Sequence, residues 1–142
     1  MSAHQATCVA IGGRAVLIEG APGSGKSSLA LALIDRGAQL IGDDGVLLER
    51  AAGALIASPH PRTRGLLEVR NLGLLHFAVH PPTAVGLVIA LAPDAPRHLD
   101  APNECERLGV SLPLVRLSPH DAVLALKTEL ALRQFGIDTV PR

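Results

Sequence analysis

Short apolar runs, separated by turn-forming residues, predict strands and helices along most of the chain. Thr7–Ile11 and residues 15–19 flank a glycine-containing turn and predict a β-hairpin. Residues 29–34 are strong helix formers, and the helix that they predict ends at a cap on Gly37. A hairpin followed by a helix is the beginning of an α/β pattern.

Further short strands are predicted at residues 39–42, 46–49, 55–57 and 66–70. Asp44 and Gly45 lie between the first two of these runs, and an Asp-Gly pair in such a position is a strong signal for a hairpin turn. Residues 85–91 are apolar throughout and predict the most buried strand of the sheet.

The C-terminal third predicts an exposed loop, an edge strand and a helix. Segment 93–107 is polar and contains proline, and residues 112–117 predict an edge strand because Pro113 cannot donate to a ladder. Ser118 is the expected N-cap of the helix and Pro119 its first residue. The apolar positions that predict its packed face are Val123, Leu126, Leu130 and Phe135.

Composition adds the size and character of the core. The chain has 142 residues, which suits a single domain comprising residues 1–142. Hydrophobic residues make up 48% of it, with two Phe and no Trp or Tyr, so the core is expected to be aliphatic. With 13 basic and 13 acidic residues the formal net charge is zero, which argues against an extended surface for nucleic acid or membrane.

The cysteines and the apolar runs indicate a cytoplasmic protein. Cys8 and Cys105 are far apart in the chain and lack metal-site spacing, as expected of reduced thiols. The longest apolar run, residues 83–92, is too short to span a bilayer, and the N-terminus does not resemble a signal peptide.

A glycine-rich segment between the first hairpin and the first helix fits the phosphate-binding pattern G-x-x-x-x-G-K-[ST]. Its residues are Gly20, Ala21, Pro22, Gly23, Ser24, Gly25, Lys26 and Ser27, followed by Ser28. Glycine permits backbone angles at which several N–H groups converge on one anion, and the next helix directs its positive dipole end there. Lys26 is expected to reach the β- and γ-phosphates and Ser27 to bind Mg²⁺, so the segment predicts a nucleoside triphosphate site.

Carboxylates beyond this loop are candidates for holding the metal and for accepting the proton of an acceptor hydroxyl. Asp43 and Asp44 follow the strand that returns beside the loop; a site role is favoured, although the pair also suits a plain hairpin turn. Glu68 and Arg70 suit Mg²⁺ and phosphate, but their spacing by itself favours a solvated charge pair. From the pattern alone, His4 is a surface histidine.

These segments, in this order, resemble the catalytic domain of HPr kinase/phosphorylase, the bacterial enzyme that acts on a seryl hydroxyl of the phosphocarrier HPr. The resemblance covers residues 4–75: His4 and its small-residue strand, the phosphate loop, residues 36–44, and residues 65–73 with their Leu-Glu-Val-Arg sequence. The paired aspartates and the last segment are more discriminating than the phosphate loop. They reverse the preference for a solvated pair at Glu68 and Arg70.

The resemblance implies an α/β P-loop kinase core related to phosphoenolpyruvate carboxykinase, with a mixed sheet, flanking helices and assembly as a hexamer. It implies a kinase of the phosphotransferase system that uses ATP and Mg²⁺ and phosphorylates HPr on a serine. Asp43 matches the catalytic aspartate, which takes the serine proton and returns it in the reverse phosphorolysis. Lys26 belongs to the phosphate loop, Arg70 matches an active-site signature residue, and His4 matches a histidine close to the phosphate. The positions that match the metal site are Ser27, Asp44 and Glu68.

Departures from the family pattern qualify the resemblance. The chain is expected to be a short form without the separate N-terminal domain, and Asn71 stands where the signature usually has Gly. No counterpart of an arginine- and glycine-containing loop follows residue 117, so kinase activity is favoured over phosphorolysis. The alternatives are a small-molecule P-loop kinase and a nucleotide-binding regulatory module. The first would need an acceptor-binding insert and an arginine-rich lid, and a GTP-binding module would need a guanine-reading Asn-Lys-x-Asp; none of these is found.

Overall fold

The computed structural model describes residues 1–138, and in that range a curled mixed sheet packs against two helices. The helices are α1 (Lys26–Asp35) and α2 (Leu124–Phe135). The strands are β1 (Ser2–His4), β2 (Thr7–Ile11), β3 (Arg14–Glu19), β4 (Gln39–Gly42), β5 (Val46–Ala51), β6 (Ala54–Pro59), β7 (Leu66–Val69), β8 (Gly73–His76), β9 (Thr83–Leu91), β10 (Asn103–Arg107) and β11 (Val110–Leu117). Residues 139–142 of the expected single domain lie outside the described residues.

Strand β9 lies at the centre of the main sheet, as its apolar sequence predicted. Among the described residues the order is β1-β5-β6-β9-β3-β2-β4, and β11 and β10 join on β9. β9 runs parallel to β3 and β11 and antiparallel to β6. Because parallel strands share their carboxyl edge, the loop that follows β3 lies at the edge where α/β sheets bind ligands.

The core occupies both faces of the central strands. Val16 and Ile18 of β3 pack with the helices, whereas Ala15 and Leu17 pack on the opposite face. Successive residues of a strand point to opposite faces, so a strand that is buried on both has a continuous apolar sequence. This explains the unbroken apolar run that enters the phosphate loop.

Helix α1 ends as the sequence predicted. Gly37 has a φ of 109°, and its N–H bonds the carbonyl oxygen of Ile34 at 3.0 Å. The N–H of Ala38 bonds the carbonyl oxygen of Leu33, also at 3.0 Å. This is a Schellman motif, in which glycine adopts the left-handed conformation that ends the helix. It turns the chain into β4, which leads to Asp43.

The expected hairpin at Asp44 and Gly45 is wrong, because β4 and β5 do not pair. β4 pairs with β2, whereas β5 pairs with β1 and β6. Asp44 has a positive φ of 57°, and a Cβ on Gly42 would lie 2.5 Å from the carbonyl oxygen of Gly45. The chain therefore crosses tightly from one group of strands to the other, and Asp43 and Asp44 lie at the crossing.

Two expectations for the C-terminal third are also wrong. Segment 93–107 was expected to be a loop but contains β10, whose mostly exposed residues lack the apolar alternation of a half-buried strand. β11 is not an edge strand, since it pairs with β10 on one side and with β9 on the other. Pro113 is tolerated there because the pairing with β9 begins only at Leu114.

Helix α2 begins later than predicted and buries a different face. It starts at Leu124 and not after Ser118, because the Asp121 carboxylate accepts a hydrogen bond from the N–H of Val123 at 2.9 Å and pairs with Lys127. The buried residues are Leu124, Thr128, Ala131 and Leu132; Val123, Leu126 and Leu130 are exposed, and Phe135 packs partly buried against the core. A helix with apolar residues on two faces does not reveal by sequence which face meets the core.

Both cysteines, Cys8 and Cys105, carry free thiols. Within residues 1–138, neither helix has the length and apolar character needed to cross a membrane.

Candidate active site

The phosphate loop connects β3 to α1, and the side chain of its lysine, Lys26, folds back onto the loop backbone. Gly25, with a φ of 103°, is the N-cap of α1, which begins at Lys26. Lys26 Nζ donates hydrogen bonds to the carbonyl oxygens of Gly20 at 2.9 Å and Ala21 at 3.2 Å. The positive end of the helix dipole and the ammonium group therefore meet at one place, which favours an anion.

The loop also holds the hydroxyl of Ser24 close against Gly20. The Ser24 hydroxyl is buried and has no hydrogen-bond partner among the described residues. A Cβ on Gly20 would lie 2.6 Å from Ser24 Oγ, so a larger residue there would displace the Ser24 hydroxyl. A buried hydroxyl without a partner is costly, and a phosphate oxygen would supply one. The residues present therefore fit a bound phosphate group.

A pocket of about 750 Å³ opens beside the loop and brings most of the predicted site residues together. From the loop and the start of α1 it is lined by Pro22, Gly23, Gly25, Lys26, Ser27 and Ser28. From elsewhere in the chain it is lined by Asp44, Glu68 and Arg70, and by Gln5, which the sequence did not predict.

Asp43 is not part of the pocket lining but bonds Ser27, which is, and it is 8% exposed. Its Oδ1 accepts hydrogen bonds from Ser27 Oγ at 2.7 Å and from Thr7 Oγ1 at 2.9 Å. Its Oδ2 accepts the backbone N–H of Glu68 at 3.0 Å. A carboxylate can accept about four hydrogen bonds. These three bonds therefore leave about one acceptor position free, on Oδ2. The carboxylate is thus fixed by three elements and can still accept a further hydrogen bond.

The possible metal donors at this site are oxygen atoms. No group of three or more His, Cys, Asp or Glu side chains with metal-binding geometry occurs within residues 1–138. Ser27, Asp44 and Glu68 line the pocket, however, and Mg²⁺ is usually bound by one or two carboxylates together with substrate phosphates. The donor set fits Mg²⁺ that is bound with a nucleotide, and does not form an all-protein metal cage.

The hairpin of β7 and β8 forms the other wall of the pocket. Glu68 lies on β7, and Arg70 and Asn71 lie in the turn that follows it. Asn71 has a φ of 74°, a conformation that glycine adopts freely and that Asn tolerates better than most residues. This explains how Asn71 can occupy a position where the signature segment described above usually has glycine.

His4 is held away from the pocket lining by an ion-pair cluster. Its Nε2 lies 2.8 Å from Oε2 of Glu19, the residue directly before the phosphate loop. Arg107 of β10 also pairs with Glu19, donating from Nε to Oε2 at 3.0 Å and from a terminal guanidinium nitrogen to Oε1 at 2.5 Å. Burial raises the pKa of the Glu19 carboxyl, but hydrogen bonds and charge from Arg107 and His4 outweigh it, so the pKa lies below its ordinary value.

Replacing Glu19 with Gln is expected to remove stability that depends on pH. Because the pKa of Glu19 is lower in the folded than in the unfolded state, its ion pairs stabilise the fold above the ordinary glutamate pKa, near 4.3. That contribution is lost as pH falls through the lowered pKa of the folded state. The free energy of unfolding of Glu19→Gln should be about 1–2 kcal/mol below wild type at pH 7, and the gap should close as the pH falls below the ordinary glutamate pKa.

Urea unfolding at several pH values measures that gap. Glu104→Gln is the matched control, because Glu104 lies exposed on the same β10 strand as Arg107. A difference between wild type and Glu19→Gln that stays constant from neutral to acid pH would contradict the assignment.

Besides Gln5, the sequence reasoning missed three residues at or beside the site: Thr7, Glu19 and Arg107. Thr7 and Glu19 each gave a weak signal, as a polar residue at one end of an apolar strand. Arg107 gave none, since it lies 88 positions from its partner in a segment that was expected to be a loop.

A family model described as the HPr Serine kinase C-terminal domain matches residues 1–115. This extends well beyond residue 75, where the resemblance in the sequence pattern ended. The solved structure of the Hpr(Ser) kinase/phosphatase from Coxiella burnetii is similar at 30% identity with a TM-score of 0.82, covering 94% of this chain and 95% of that one. At that identity and coverage, the two chains have the same fold.

Curated relatives are similar over shorter stretches. HPr kinase/phosphorylase from Clostridium beijerinckii is 36% identical over 108 residues, which are 72% of this chain and 34% of the relative. The enzyme of the same name from Bordetella pertussis is 53% identical over 64 residues, 44% of this chain and 21% of the relative. The chain thus spans about a third or less of the length of these relatives.

Proposed function

The chain belongs to the HPr serine kinase C-terminal domain family, and on that basis we propose that it is an ATP-dependent kinase that phosphorylates an HPr-type phosphocarrier protein on a serine. One observation carries the proposal: the hydrogen bond between Ser27 and Asp43 joins the phosphate loop to a fixed carboxylate. A site that only binds nucleotide needs the loop, whereas a site that transfers phosphate also needs a group for the acceptor proton.

The chain's own residues perform most of the work by positioning and by neutralising charge. The loop N–H groups and Lys26 hold the phosphates, and Arg70 lies where it can meet phosphate oxygens. Asp43 accepts the proton of the serine hydroxyl on Oδ2 as the serine oxygen bonds to the γ-phosphorus and the bond from that phosphorus to ADP breaks. The reverse phosphorolysis would return this proton to serine.

Ser27, Asp44 and Glu68 would hold Mg²⁺ together with the phosphates. When bound, Mg²⁺ neutralises negative charge on the β- and γ-phosphate oxygens.

The proposal extends to the setting of the enzyme. A single catalytic domain, residues 1–142, would act in the cytoplasm on the phosphotransferase system and influence carbon and nitrogen metabolism. By family resemblance it would assemble as a homo-oligomer, a hexamer.

The test is phosphorylation of purified HPr with γ-labelled ATP and Mg²⁺, followed by identification of the labelled residue. Label on a serine of HPr is expected, and it should not form on a Ser→Ala variant of the acceptor at that position. Nucleotide binding without label on HPr would overturn the proposal and favour a regulatory module. Label on a small molecule but not on HPr would favour a small-molecule kinase.

A further inference from the structure

Asp43 is held by a residue outside the nucleotide pocket. Thr7, at the first position of β2, is completely buried, and its hydroxyl donates a hydrogen bond to Asp43 Oδ1 at 2.9 Å. The same hydroxyl accepts a longer hydrogen bond, at 3.5 Å, from the backbone N–H of Asp44. One side chain therefore contacts both members of the aspartate pair.

The strand pairing explains why Thr7 lies at this point. Thr7 pairs with Ile18 of β3, two positions before Gly20, and its neighbour Cys8 pairs with Gly42 at the end of β4. The register between β2 and β4 shifts directly after Cys8, as in a β-bulge, a feature that is common next to active sites. Thr7 thus lies between the strand that enters the phosphate loop and the strand that leads to Asp43.

Burial gives a second reason to connect Thr7 with Asp43. Among the described residues, the buried polar or charged ones are Thr7, Asp43 and Thr128. The Thr128 hydroxyl donates to the carbonyl oxygen of Leu124, which lies in the same helix α2. Burying a hydroxyl costs free energy that an apolar residue in the strand would not cost. The hydrogen bond from Thr7 to Asp43 offsets that cost.

We infer that Thr7 is a positioning residue for phosphoryl transfer, a role that rests on the proposed function for its catalytic consequence. Thr7 and Ser27 together occupy Oδ1 of Asp43, and this leaves the remaining acceptor position on Oδ2 for the substrate hydroxyl. Ser27 belongs to the nucleotide loop, whereas Thr7 is not part of the pocket lining. Thr7 can therefore orient the base without itself contacting the nucleotide.

The first test replaces Thr7 with Val, which has nearly the same shape and lacks the hydroxyl. With HPr as acceptor, kcat should fall about 10- to 100-fold while the KM for ATP stays near the wild-type value. Thr7→Ser keeps the hydroxyl and should retain most of the wild-type kcat. In an Asp43→Asn background, Thr7→Val should cause no further loss of kcat, because Thr7 acts through Asp43. Thr128→Val, which removes the other buried threonine hydroxyl, should leave kcat unchanged.

A second test needs no catalysis. Hydrogen exchange followed by NMR reports the backbone N–H groups of Asp44 and Glu68, which bond Thr7 and Asp43 respectively. Both should exchange faster in Thr7→Val and at the wild-type rate in Thr128→Val.

Several results would overturn the inference. Wild-type kcat in Thr7→Val, an equal loss in Thr7→Ser, or unchanged exchange at the Glu68 N–H, which bonds Asp43 itself, would each do so. If the wild-type protein transfers no phosphate to HPr, the proposed function fails and the exchange rates alone decide whether Thr7 positions Asp43. Thermal unfolding checks that Thr7→Val folds, and Thr7→Ala takes its place if it does not.

Discussion

Replacing Asp43 with Asn is expected to lower kcat for phosphorylation of HPr by about 10²–10⁴-fold. The substitution keeps the shape of the side chain but removes the carboxylate that would take the serine proton. ATP affinity should stay close to wild type, because Asp43 is nearly buried and is not part of the pocket lining. Initial rates at saturating ATP and calorimetric titration with an ATP analogue measure the two quantities separately.

Asp100→Asn is the matched control for this prediction. The Asp100 side chain is 94% exposed and contacts His98, so the same chemical change there should leave kcat and ATP affinity unaltered. If Asp43→Asn transfers phosphate to HPr at the wild-type rate, Asp43 is not the base.

Replacing Lys26 with Ala should lower kcat/KM for ATP by about 10²–10³-fold. Its ammonium group is the charge that we propose meets the nucleotide phosphates, and among the described residues it bonds the carbonyl oxygens of Gly20 and Ala21. Gly20 and Ala21 are exposed, so their carbonyl oxygens can bond water instead and the thermal stability of the variant should change little. Because the Lys26 charge would contact the phosphates, Lys26→Ala should lower both nucleotide affinity and kcat, whereas Asp43→Asn should lower kcat alone.

The chain contains one other lysine, and it provides the control. Lys127 lies on α2 and pairs with Asp121, away from the pocket lining. Lys127→Ala removes the same charge and should bind and use ATP as the wild type does. If Lys26→Ala had the nucleotide affinity and kcat of the wild type, the glycine-rich loop would not be the nucleotide site.

The two variants together separate holding the nucleotide from activating the acceptor. Lys26 and the loop come from one continuous segment, whereas the fixation of Asp43 needs Thr7, Ser27 and the backbone of Glu68. This division explains why the phosphate loop was recognisable as a sequence pattern and the arrangement around the carboxylate was not.

Errors in the sequence-based prediction have physical causes that can be named. Asp44 and Gly45 have the residue types of a hairpin turn, but β4 pairs with β2, and β5 pairs with β1 and β6. A local turn preference does not determine which strands pair. α2 has apolar residues on two faces, and packing against the sheet and α1 chose the face with Leu124, Ala131 and Leu132. In both cases, several arrangements satisfy the local pattern.

The sequence by itself determined the phosphate loop, α1 with its cap at Gly37, the β2–β3 hairpin and the buried strand β9. Each of these depends on backbone preferences and on contacts between residues that are close in the chain. Only the tertiary structure decided that Thr7 meets Asp43, 36 positions away, and that Arg107 meets Glu19, 88 positions away. Such pairs are set by strand order and register across the whole sheet, because the periodicity of a single strand records which face is buried and not which distant residue lies opposite.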